Sequence, residues 1–417
     1  MTGPVAADAL RTVEAADVYS AGRLAGSIVR DDDATVFSYL SDYLSDPETT
    51  QVAFTLPKSA QSVRTGAGSV PPFFAGLLPE GARLTATTAA TRTSEDDQLT
   101  LLLAVGADTV GDVQVLPTGS APADDGYVLA EAEIAKTTLS QVFARAISAD
   151  PRDLDRVGLP GVQVKVSAQM MSTPLATSRG PAILKLNPPG YPRLVENEAC
   201  FLSMAAAAGI RVPAHRLVRD RDGQAGLLVE RFDRVVDKER VHRLPQEDAC
   251  QVLGRYPAGK YRIKLEEAIA ALARAVATGN GSSRLAVRQA LEIAAFSYVI
   301  GNGDLHGKNL SVRRNPNHLW ELTPAYDLLT TQPYLSWRDP MAVPLFGRSN
   351  KLTRRWWLAA ARQLNVPEKA LASRLDHIVD VAQSWVDKLA DIGFDDKTTE
   401  RLMTMIRTRG RELTTLR

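Results

Sequence analysis

The run Gly303-Asp-Leu-His-Gly-Lys-Asn309, followed downstream by Ala325-Tyr-Asp327, decides how this chain is interpreted. Phosphoryl transfer from a nucleotide needs little covalent chemistry from a protein. It needs a carboxylate that holds and deprotonates the attacking hydroxyl, and oxygen ligands that hold Mg2+ on the phosphates. Asp304 suits the first role, and Asn309 with Asp327 suits the second. The order and spacing of these three residues predict the acidic half of a kinase active site.

Each of the three residues also has a plainer interpretation. Asp304 follows Gly-Asn-Gly, and Gly, Asn and Asp are common in turns for backbone reasons. Asn309 could cap a loop, and Asp327 could begin a helix. A long apolar helical pattern before them and a lysine in an apolar strand upstream favour the kinase interpretation of the set.

Bulk composition agrees with an enzyme of the cytoplasm. The chain has 417 residues, enough for two or three domains, and Lys+Arg 49 against Asp+Glu 48 argues against a protein that coats a polyanion. Cys200 and Cys250 have no CxxC partner, so we expect buried free thiols. No apolar run reaches the roughly 18 residues that a membrane-spanning helix needs. Asp8 and Glu14 argue against a signal peptide at the start.

The composition and the predicted secondary structure change along the chain. A region of short β-rich stretches and turn signals is followed, at 119–125, by a segment rich in Gly, Ser, Ala and Pro. After a second mixed region, apolar residues recur with helical periodicity, first from Leu265 and again from Val287. The predicted divisions are a flexible tail at 1–16, a β-rich N-terminal subdomain at 17–118, a nucleotide-binding N-lobe region at 127–236 and a helical catalytic C-lobe at 237–417.

One lysine interrupts the apolar strand Ala182-Ile-Leu-Lys-Leu186. A buried charge is costly unless it is paired, so Lys185 is the candidate to contact the α- and β-phosphates. Its alternative is an edge-strand lysine that points to water. Glu198, at the start of the following helical run, could orient Lys185 as a helix-borne glutamate does in kinases. Glu196 is the rival, and it could equally be a first-turn glutamate favoured by the helix dipole.

The segment Gly226-Leu-Leu-Val-Glu-Arg-Phe-Asp-Arg234 reads as a strand that ends in polar residues. A hinge between two lobes has this character, because backbone groups at the strand end can bind an adenine edge. Glu230 would supply the carbonyl and Phe232 the amide. The alternative is a strand that simply meets a loop.

A loop that cradles phosphate is harder to find, since neither GxGxxG nor GxxxxGK[ST] occurs. The best candidate is Val157-Gly-Leu-Pro-Gly-Val-Gln-Val-Lys165, because Gly158 and Gly161 permit close backbone approach to a phosphate. Gln163 belongs to the same candidate cofactor-binding loop. Taken alone, this signal is weak.

A set of segments in order over nearly the whole chain resembles the HipA family of serine/threonine kinase toxins from bacterial toxin–antitoxin pairs. Besides the two runs quoted first, these are Pro71-Pro-Phe-Phe-Ala-Gly-Leu-Leu-Pro-Glu-Gly81, Leu159-Pro-Gly-Val-Gln-Val-Lys165, Ile183-Leu-Lys-Leu186, Asn197-Glu198, Glu230-Arg-Phe-Asp-Arg234 and Leu244-Pro-Gln-Glu-Asp248. The first of these segments makes the resemblance specific, because it is not a general kinase element.

The resemblance implies an α+β, protein-kinase-like two-lobed fold with a β-rich N-terminal subdomain and a mostly helical C-terminal lobe. It implies ATP with Mg2+ as the phosphoryl donor system. The matching positions are Asp304 for the catalytic base, Asn309 and Asp327 for the metal ligands, Lys185 for the phosphate-contacting lysine, and Glu230 with Phe232 for the adenine-binding hinge. His306 and Lys308 lie in the same loop and are candidate contacts of the γ-phosphate.

The resemblance also implies partners and substrates. Family members pair with a small helix-turn-helix antitoxin, HipB-like, that neutralises them and binds operator DNA, so DNA contact is expected mainly through the antitoxin. Their better-known substrates are aminoacyl-tRNA synthetases, whose phosphorylation slows growth. No membrane contact is expected.

One position departs from the family pattern. HipA proteins carry a serine in the loop before the Gly-x-Gln segment, and autophosphorylation there switches the enzyme off. Gly158 occupies the matching position and has no hydroxyl. We therefore expect this chain to lack that brake or to use another site.

Two other functions fit parts of the sequence. One is a weakly catalytic, kinase-fold co-repressor that joins an antitoxin on DNA; the presence of all three acidic-site residues argues against it. The other is a lipid or small-molecule phosphotransferase, because Asp304, His306 and Asn309 also match the catalytic loop of phosphoinositide kinases. The lack of a basic amphipathic anchor argues against that one.

Overall fold

An antiparallel sheet of five strands forms the first part of the computed structural model, which describes residues 7–66, 68–122, 131–146, 157–158, 171–178, 180–238, 240–335 and 337–415. Its order is β4-β3-β2-β1-β6. Alternate residues of β1 are buried, as expected for a sheet with one face on a core. The elements are a 3-10 turn Ala7–Thr12, β1 Ala15–Ser20, β2 Arg23–Asp31, β3 Ala34–Tyr39, α1 Ser41–Ser45, β4 Val63–Gly66, α2 Pro72–Ala75, α3 Gly81–Thr91, α4 Gln98–Val105, β5 Asp108–Thr109 and β6 Val113–Pro117.

The segment between Pro71 and Gly81 builds much of the core under this sheet. Phe73 and Phe74 of α2 are buried, and the Phe74 ring lies 5.2 Å from that of Phe37 in β3. Most of α4 is apolar and buried on all sides. The sequence motif therefore serves first as a packing element, which fixes the position of the residues that follow it.

A second antiparallel sheet, of order β10-β11-β9-β8, occupies the middle of the chain. Lys185 of β9 pairs with Leu227 of β11 on one side and with Ser172 of β8 on the other. Helix α7 packs against β10 and β11. The elements here are α5 Glu131–Ile134, α6 Leu139–Ala146, β7 Val157–Gly158, β8 Met171–Thr177, β9 Gly180–Leu186, α7 Leu194–Ala207, β10 His215–Arg219, β11 Ala225–Glu230, β12 Arg234–Asp237 and β13 Arg240–Arg243.

The remainder is mainly helical around a large apolar core, with Leu265 and Val287 buried as their periodicity predicts. A small sheet of order β14-β15-β16 lies beside it. The elements are β14 Gln246–Asp248, α8 Ala249–Val252, α9 Leu265–Thr278, α10 Ser283–Ile300, β15 Ser311–Arg314, β16 Trp320–Leu322, α11 Arg354–Gln363, α12 Glu368–Ser384 and α13 Asp396–Thr414, with 3-10 turns at Pro257–Gly259, Gly307–Asn309, Gln332–Tyr334 and Val386–Ile392.

A buried cluster of ions joins the first part to the second. Asp108 of β5 accepts hydrogen bonds from Arg231 at 2.7 Å and from Arg234 at 2.6 Å, and Arg243 reaches it at 3.3 Å. Asp233 binds the same two arginines, Arg231 and Arg234, at 2.8 Å each. Buried charges are stable only when they are paired in this way.

The architecture confirms the predicted α+β fold, with a β-rich N-terminal region and a helical C-terminal lobe. Among the helices that the structure describes, none is both long and apolar enough to cross a bilayer.

Candidate active site

A cleft opens between the three parts of the chain. The first part contributes Leu77, the middle sheet Lys185 and Glu230, and the helical part Asn309 and Asp327. A cleft lined by all the parts of a molecule, with a few converging polar groups, is the usual form of a ligand site.

The end of α10 sets the position of the acidic residues. Its C-cap Gly301 has φ 75°, a left-handed conformation that lets the chain leave the helix sharply. The Asn302 side chain then accepts a hydrogen bond from the Asp304 amide at 2.9 Å and donates one to the Asp327 carbonyl at 3.2 Å. The Asn309 side chain donates to the Asp304 carbonyl at 3.0 Å. The structure thus brings together all three residues of the opening motif.

Asp304 is almost fully buried, with 1 % of its surface exposed. The Tyr261 hydroxyl donates a hydrogen bond to its Oδ1 at 2.8 Å. Burial and the Asp304 charge raise the pKa of Tyr261 well above its usual range, so the phenol remains a donor. The His306 ring lies edge-on to Tyr261, with 5.2 Å between centroids.

Lys185 lies where the sequence predicts, on the strand β9 with its ammonium paired. Its Nζ is 2.7 Å from Oε1 of Glu198 on α7, and it also contacts Oδ1 of Asp327 directly. Burial lowers the pKa of Lys185, but Asp327 and Glu198 outweigh burial and hold the pKa above its usual range. Burial, with the Asp327 charge nearby, raises the pKa of Glu198 to about 7.

The rival glutamate has other partners. Glu196 accepts hydrogen bonds from Arg193 and from Asn187, each at 3.0 Å. Of the two candidate glutamates, Glu198 is therefore the one that pairs with Lys185.

Asp327 has a left-handed backbone, with φ 54°. A non-glycine residue adopts this conformation at some cost, although Asp tolerates it better than most, and such residues concentrate at functional sites. This conformation accompanies its contact with Lys185.

The predicted hinge lies on the wall of the cleft. Glu230 ends β11, and its amide donates to the Ala214 carbonyl at 2.9 Å. The Phe232 carbonyl accepts from the Arg313 guanidinium, and the Phe232 ring lies 5.6 Å from that of Tyr326. The contacts that would hold adenine stay predictions, namely the Glu230 carbonyl and the Phe232 amide.

Lys308 is buried, and its ammonium is already bound. It donates to Glu80 Oε1 at 2.7 Å and to the Gly76 carbonyl at 3.1 Å, although the residue also lines the cleft. His306 lines the cleft as well. Contacts of these two residues with a γ-phosphate stay predictions.

The predicted phosphate loop is only partly within the described chain. Gly158 pairs with Thr109 in a short parallel bridge between β7 and β5. Gly161 and Gln163 lie outside the residues that the structure describes, so their role stays a prediction.

The donor set suits a magnesium ion bound together with phosphate. The Asn309 amide nitrogen is engaged by the Asp304 carbonyl, which leaves the amide oxygen to a metal, and Asp327 adds a carboxylate. Within the described ranges, no group of three His, Cys, Asp or Glu side chains could hold a metal alone. Mg2+ commonly takes one or two protein oxygens and completes its shell with water and phosphate oxygens, so the residues fit it.

Three contributors to the site escaped the sequence analysis. Tyr261 and Asn302 bind the acidic residues directly, and Glu80 binds Lys308. Asn302 directly precedes the opening motif, and Glu80 is the glutamate of the Leu-Leu-Pro-Glu-Gly segment, so both carried a local signal. Tyr261 carried none, because its contact with Asp304 depends on the tertiary fold.

Comparison with known proteins identifies relatives that match this chain over the ranges that contain the site residues. Residues 16–116 match the model of the HipA N-terminal domain, and residues 157–386 match that of the HipA-like C-terminal domain. The chain is 30% identical over 395 residues to the putative kinase Y4mE of Sinorhizobium fredii, covering 91% of this chain and 93% of that protein. It is 26% identical to the serine/threonine-protein kinase toxin HipA of Shewanella oneidensis, covering 83% of each.

A solved structure shares the fold. HipA of Shewanella oneidensis MR-1, in a complex with HipB and its operator DNA, superposes with a TM-score of 0.74 at 20% identity and covers 95% of this chain and 96% of that chain. At this identity the likeness concerns the fold alone.

Two family models match in order along the chain, and a relative that is covered over 93% of its length is 30% identical. The chain therefore belongs to the HipA family.

Proposed function

We propose that this chain is an ATP- and Mg2+-dependent serine/threonine protein kinase that acts as the toxin of a toxin–antitoxin pair. The observation that carries the proposal is that Lys185, Asn309 and Asp327 line one cleft. Asp304 lies directly behind it, joined to Asn309 by a hydrogen bond, and Glu198 pairs with Lys185. An acidic set alone could be a turn, but a kinase requires this lysine–glutamate pair beside it.

The residues divide the work of phosphoryl transfer. Bound ATP with Mg2+ supplies the phosphoryl group. Asp304 accepts the proton of the attacking hydroxyl, and Tyr261, at 2.8 Å, holds that carboxylate in place. Lys185 would contact the α- and β-phosphates, and Asn309 with Asp327 would hold the metal. The products are a phosphorylated protein hydroxyl and ADP.

The Lys185–Asp327 contact has a consequence for binding. Asp327 cannot give its full charge both to the lysine and to a metal, so the metal competes with this ion pair. A phosphate held by Lys185 would leave Asp327 free to hold a metal, so we expect phosphate and metal to favour each other's binding.

The partners and substrate follow from the family. A HipB-like helix-turn-helix antitoxin would carry the complex to operator DNA, as the relative's complex with HipB and operator DNA supports. A translation component such as an aminoacyl-tRNA synthetase would be phosphorylated in the cytoplasm, which slows growth. Only the family resemblance supports this choice of substrate.

The test is transfer of labelled γ-phosphate onto the proteins of a bacterial translation extract. We expect Asp304→Asn to lower transfer by about 10²-fold or more while ATP binding persists. Asp376→Asn, which breaks an ion pair with Arg354 far along the chain, is the control and should label normally. Equal labelling by wild type and Asp304→Asn would refute the assignment. No labelling by wild type, with ATP still bound, would favour the co-repressor function instead.

A further inference from the structure

Glu80 occupies an unusual position outside the acidic set. It precedes α3 in the N-terminal region, yet its carboxylate reaches into the helical lobe. Its Oε1 accepts a hydrogen bond from Lys308 at 2.7 Å, and its Oε2 accepts one from Lys260 at 2.5 Å. Glu80, Lys260 and Lys308 are 9%, 1% and 6% exposed, so the three charges are almost entirely withdrawn from water.

The Glu80–Lys308 contact, which we call the first branch, lies beside Asn309, the proposed metal ligand of the catalytic loop. Lys308 directly precedes Asn309, and its carbonyl accepts a hydrogen bond from Tyr326 at 2.6 Å. Tyr326 in turn precedes Asp327 in the chain. One oxygen of Glu80 therefore binds the residue before Asn309, and the Tyr326 hydrogen bond connects that residue to the separate segment that carries Asp327.

The Glu80–Lys260 contact, the second branch, lies beside Tyr261, which binds the proposed base Asp304. The Lys260 carbonyl accepts a hydrogen bond from the Gly307 amide at 3.1 Å, inside the catalytic loop. The next residue, Tyr261, donates to Asp304. The other oxygen of Glu80 therefore fixes the segment that holds the Asp304 carboxylate.

Close packing makes these links stiff. A Cβ atom added at Gly307 would lie 2.4 Å from Ile263 and 2.7 Å from Cys250. The loop lies directly against the 250–263 segment with no gap between them, so a shift of that segment towards the loop displaces the loop.

We propose that Glu80 is a positioning residue of the kinase site, through which the N-terminal region holds the catalytic loop and the Tyr261 segment in register. This inference rests on the proposed kinase function for its meaning, but the positioning itself does not depend on activity. The N-terminal region is then part of the catalytic machinery and not only a surface for partners.

Charge explains why a glutamate stands here. Glu80 is the carboxylate that both buried ammonium groups contact, Lys308 at 2.7 Å and Lys260 at 2.5 Å. Without Glu80, the two buried ammonium groups would lose the carboxylate that both of them contact, and each would move towards water or another acceptor. Movement of either lysine would displace the catalytic loop, because Lys308 belongs to the loop and Lys260 to a segment that contacts it.

The first experiment measures amide hydrogen exchange of the intact, nucleotide-free protein. In Glu80→Gln we expect at least tenfold faster exchange in peptides that cover residues 302–310 and 258–263. Asp97→Asn is the matched control, because Asp97 is a partly buried carboxylate of the same region whose partners are Arg30, Thr93 and Thr100. It should leave both peptides unchanged. Unchanged exchange of both peptides in Glu80→Gln would overturn the proposal.

A charge-balanced variant deals with the risk that Glu80→Gln does not fold. Glu80→Gln combined with Lys260→Met removes one charge of each sign, so the net buried charge is that of the wild type. Lys308 still loses its partner, and we expect the 302–310 peptide to exchange faster. Slow exchange of that peptide in the double variant would equally overturn the proposal. The single variant Lys260→Met cuts only the second branch and should affect the 258–263 peptide first.

Kinetics give the second readout. A positioning role predicts a fall in kcat of about 10²-fold with the KM for ATP changed less than threefold, because misplacement of about 1 Å is enough for such a loss. General destabilisation would instead lower the active fraction in Glu80→Gln and Asp97→Asn alike. If wild type transfers no phosphate, the kinase function fails while hydrogen exchange still decides whether Glu80 positions the loop.

Discussion

A single buried carboxylate, Glu247, is expected to make the stability of the folded protein depend on pH. Glu247 of β14 is 3% exposed; its Oε1 accepts from the Phe54 amide at 2.8 Å, and within the described chain its Oε2 has no hydrogen-bond partner. Burial, reinforced by the nearby charges of Asp248 and Asp112, raises the pKa of Glu247 from 4.5 to about 8. The folded protein therefore holds a proton that the unfolded chain releases above pH 4.5.

Stability is therefore expected to fall between pH 4.5 and pH 8, since the folded state binds more protons in this window. Glu247→Gln removes this contribution, so its free energy of unfolding relative to wild type should rise by up to about 4 kcal/mol across the window. Urea unfolding at pH 5, 7 and 9 measures it. The exposed Glu95→Gln serves as the control, and parallel pH curves for wild type and Glu247→Gln would contradict the expectation.

Gly158 carries a second prediction at this scale. Because glycine has no hydroxyl, incubation with ATP should add no stoichiometric phosphate to the 157–165 segment, as intact mass and peptide mapping can show. Gly158→Ser supplies the missing acceptor and should gain one phosphate, provided that the chain has kinase activity. The wild-type segment has no Ser, Thr or Tyr, so a stoichiometric phosphate mapped just downstream, at Ser167, Ser172 or Thr173, would show that autophosphorylation uses another site.

At the scale of elements, local sequence patterns predicted more than contacts between distant segments. The periodicity from Leu265 and from Val287 predicted α9 and α10, and the spacing of Lys185 and Glu198 predicted a pair that joins a strand to the next helix. Such signals are local, because one element or two adjacent ones produce them. The contacts of Glu80 with Lys308 and of Tyr261 with Asp304 join distant segments, so only the packed fold reveals them.

The junction of β5 with β11 and β12 gives a prediction at this scale. Burial raises the pKa of Asp108, but Arg231 and Arg234 outweigh burial and hold the pKa below its usual range. Asp108→Asn removes one of the two buried carboxylates of the cluster and leaves Asp233 alone to balance Arg231 and Arg234, so we expect a loss of about 3 to 5 kcal/mol in the free energy of unfolding. Because Arg231 directly follows Glu230, the KM for ATP should rise as well.

Thermal and urea unfolding measure the first effect, and ATP titration measures the second. The control is Asp376→Asn, whose pair with Arg354 has a half-exposed carboxylate and should contribute about 1 kcal/mol or less. An Asp108→Asn protein as stable as this control would show that the ion cluster is dispensable.

For the whole molecule, the main feature is that no single region forms the site. Leu77, Lys185 and Tyr326 line the same cleft from the N-terminal region, the middle sheet and the helical lobe. The domain boundaries at 17–118, 127–236 and 237–417 stay a prediction, but each of these three ranges contributes residues to the site. A ligand in this cleft binds only when the three parts are together, so it should stabilise the molecule as one unit.

ATP with Mg2+ should therefore raise the thermal unfolding temperature, because a ligand that binds only the folded state adds about 2.7 kcal/mol at a hundredfold excess over its Kd. Chelation of Mg2+ should remove much of the shift, since Asn309 and Asp327 then contribute nothing to nucleotide binding. Asp327→Asn should bind ATP with little dependence on Mg2+, whereas Asp304→Asn should keep the full shift, because the role proposed for Asp304 is to accept a proton from the acceptor hydroxyl. Differential scanning fluorimetry over a Mg2+ titration measures these shifts. A wild-type shift that is the same with and without Mg2+ would remove Asn309 and Asp327 from the metal site, and the absence of any shift would remove ATP from the cleft.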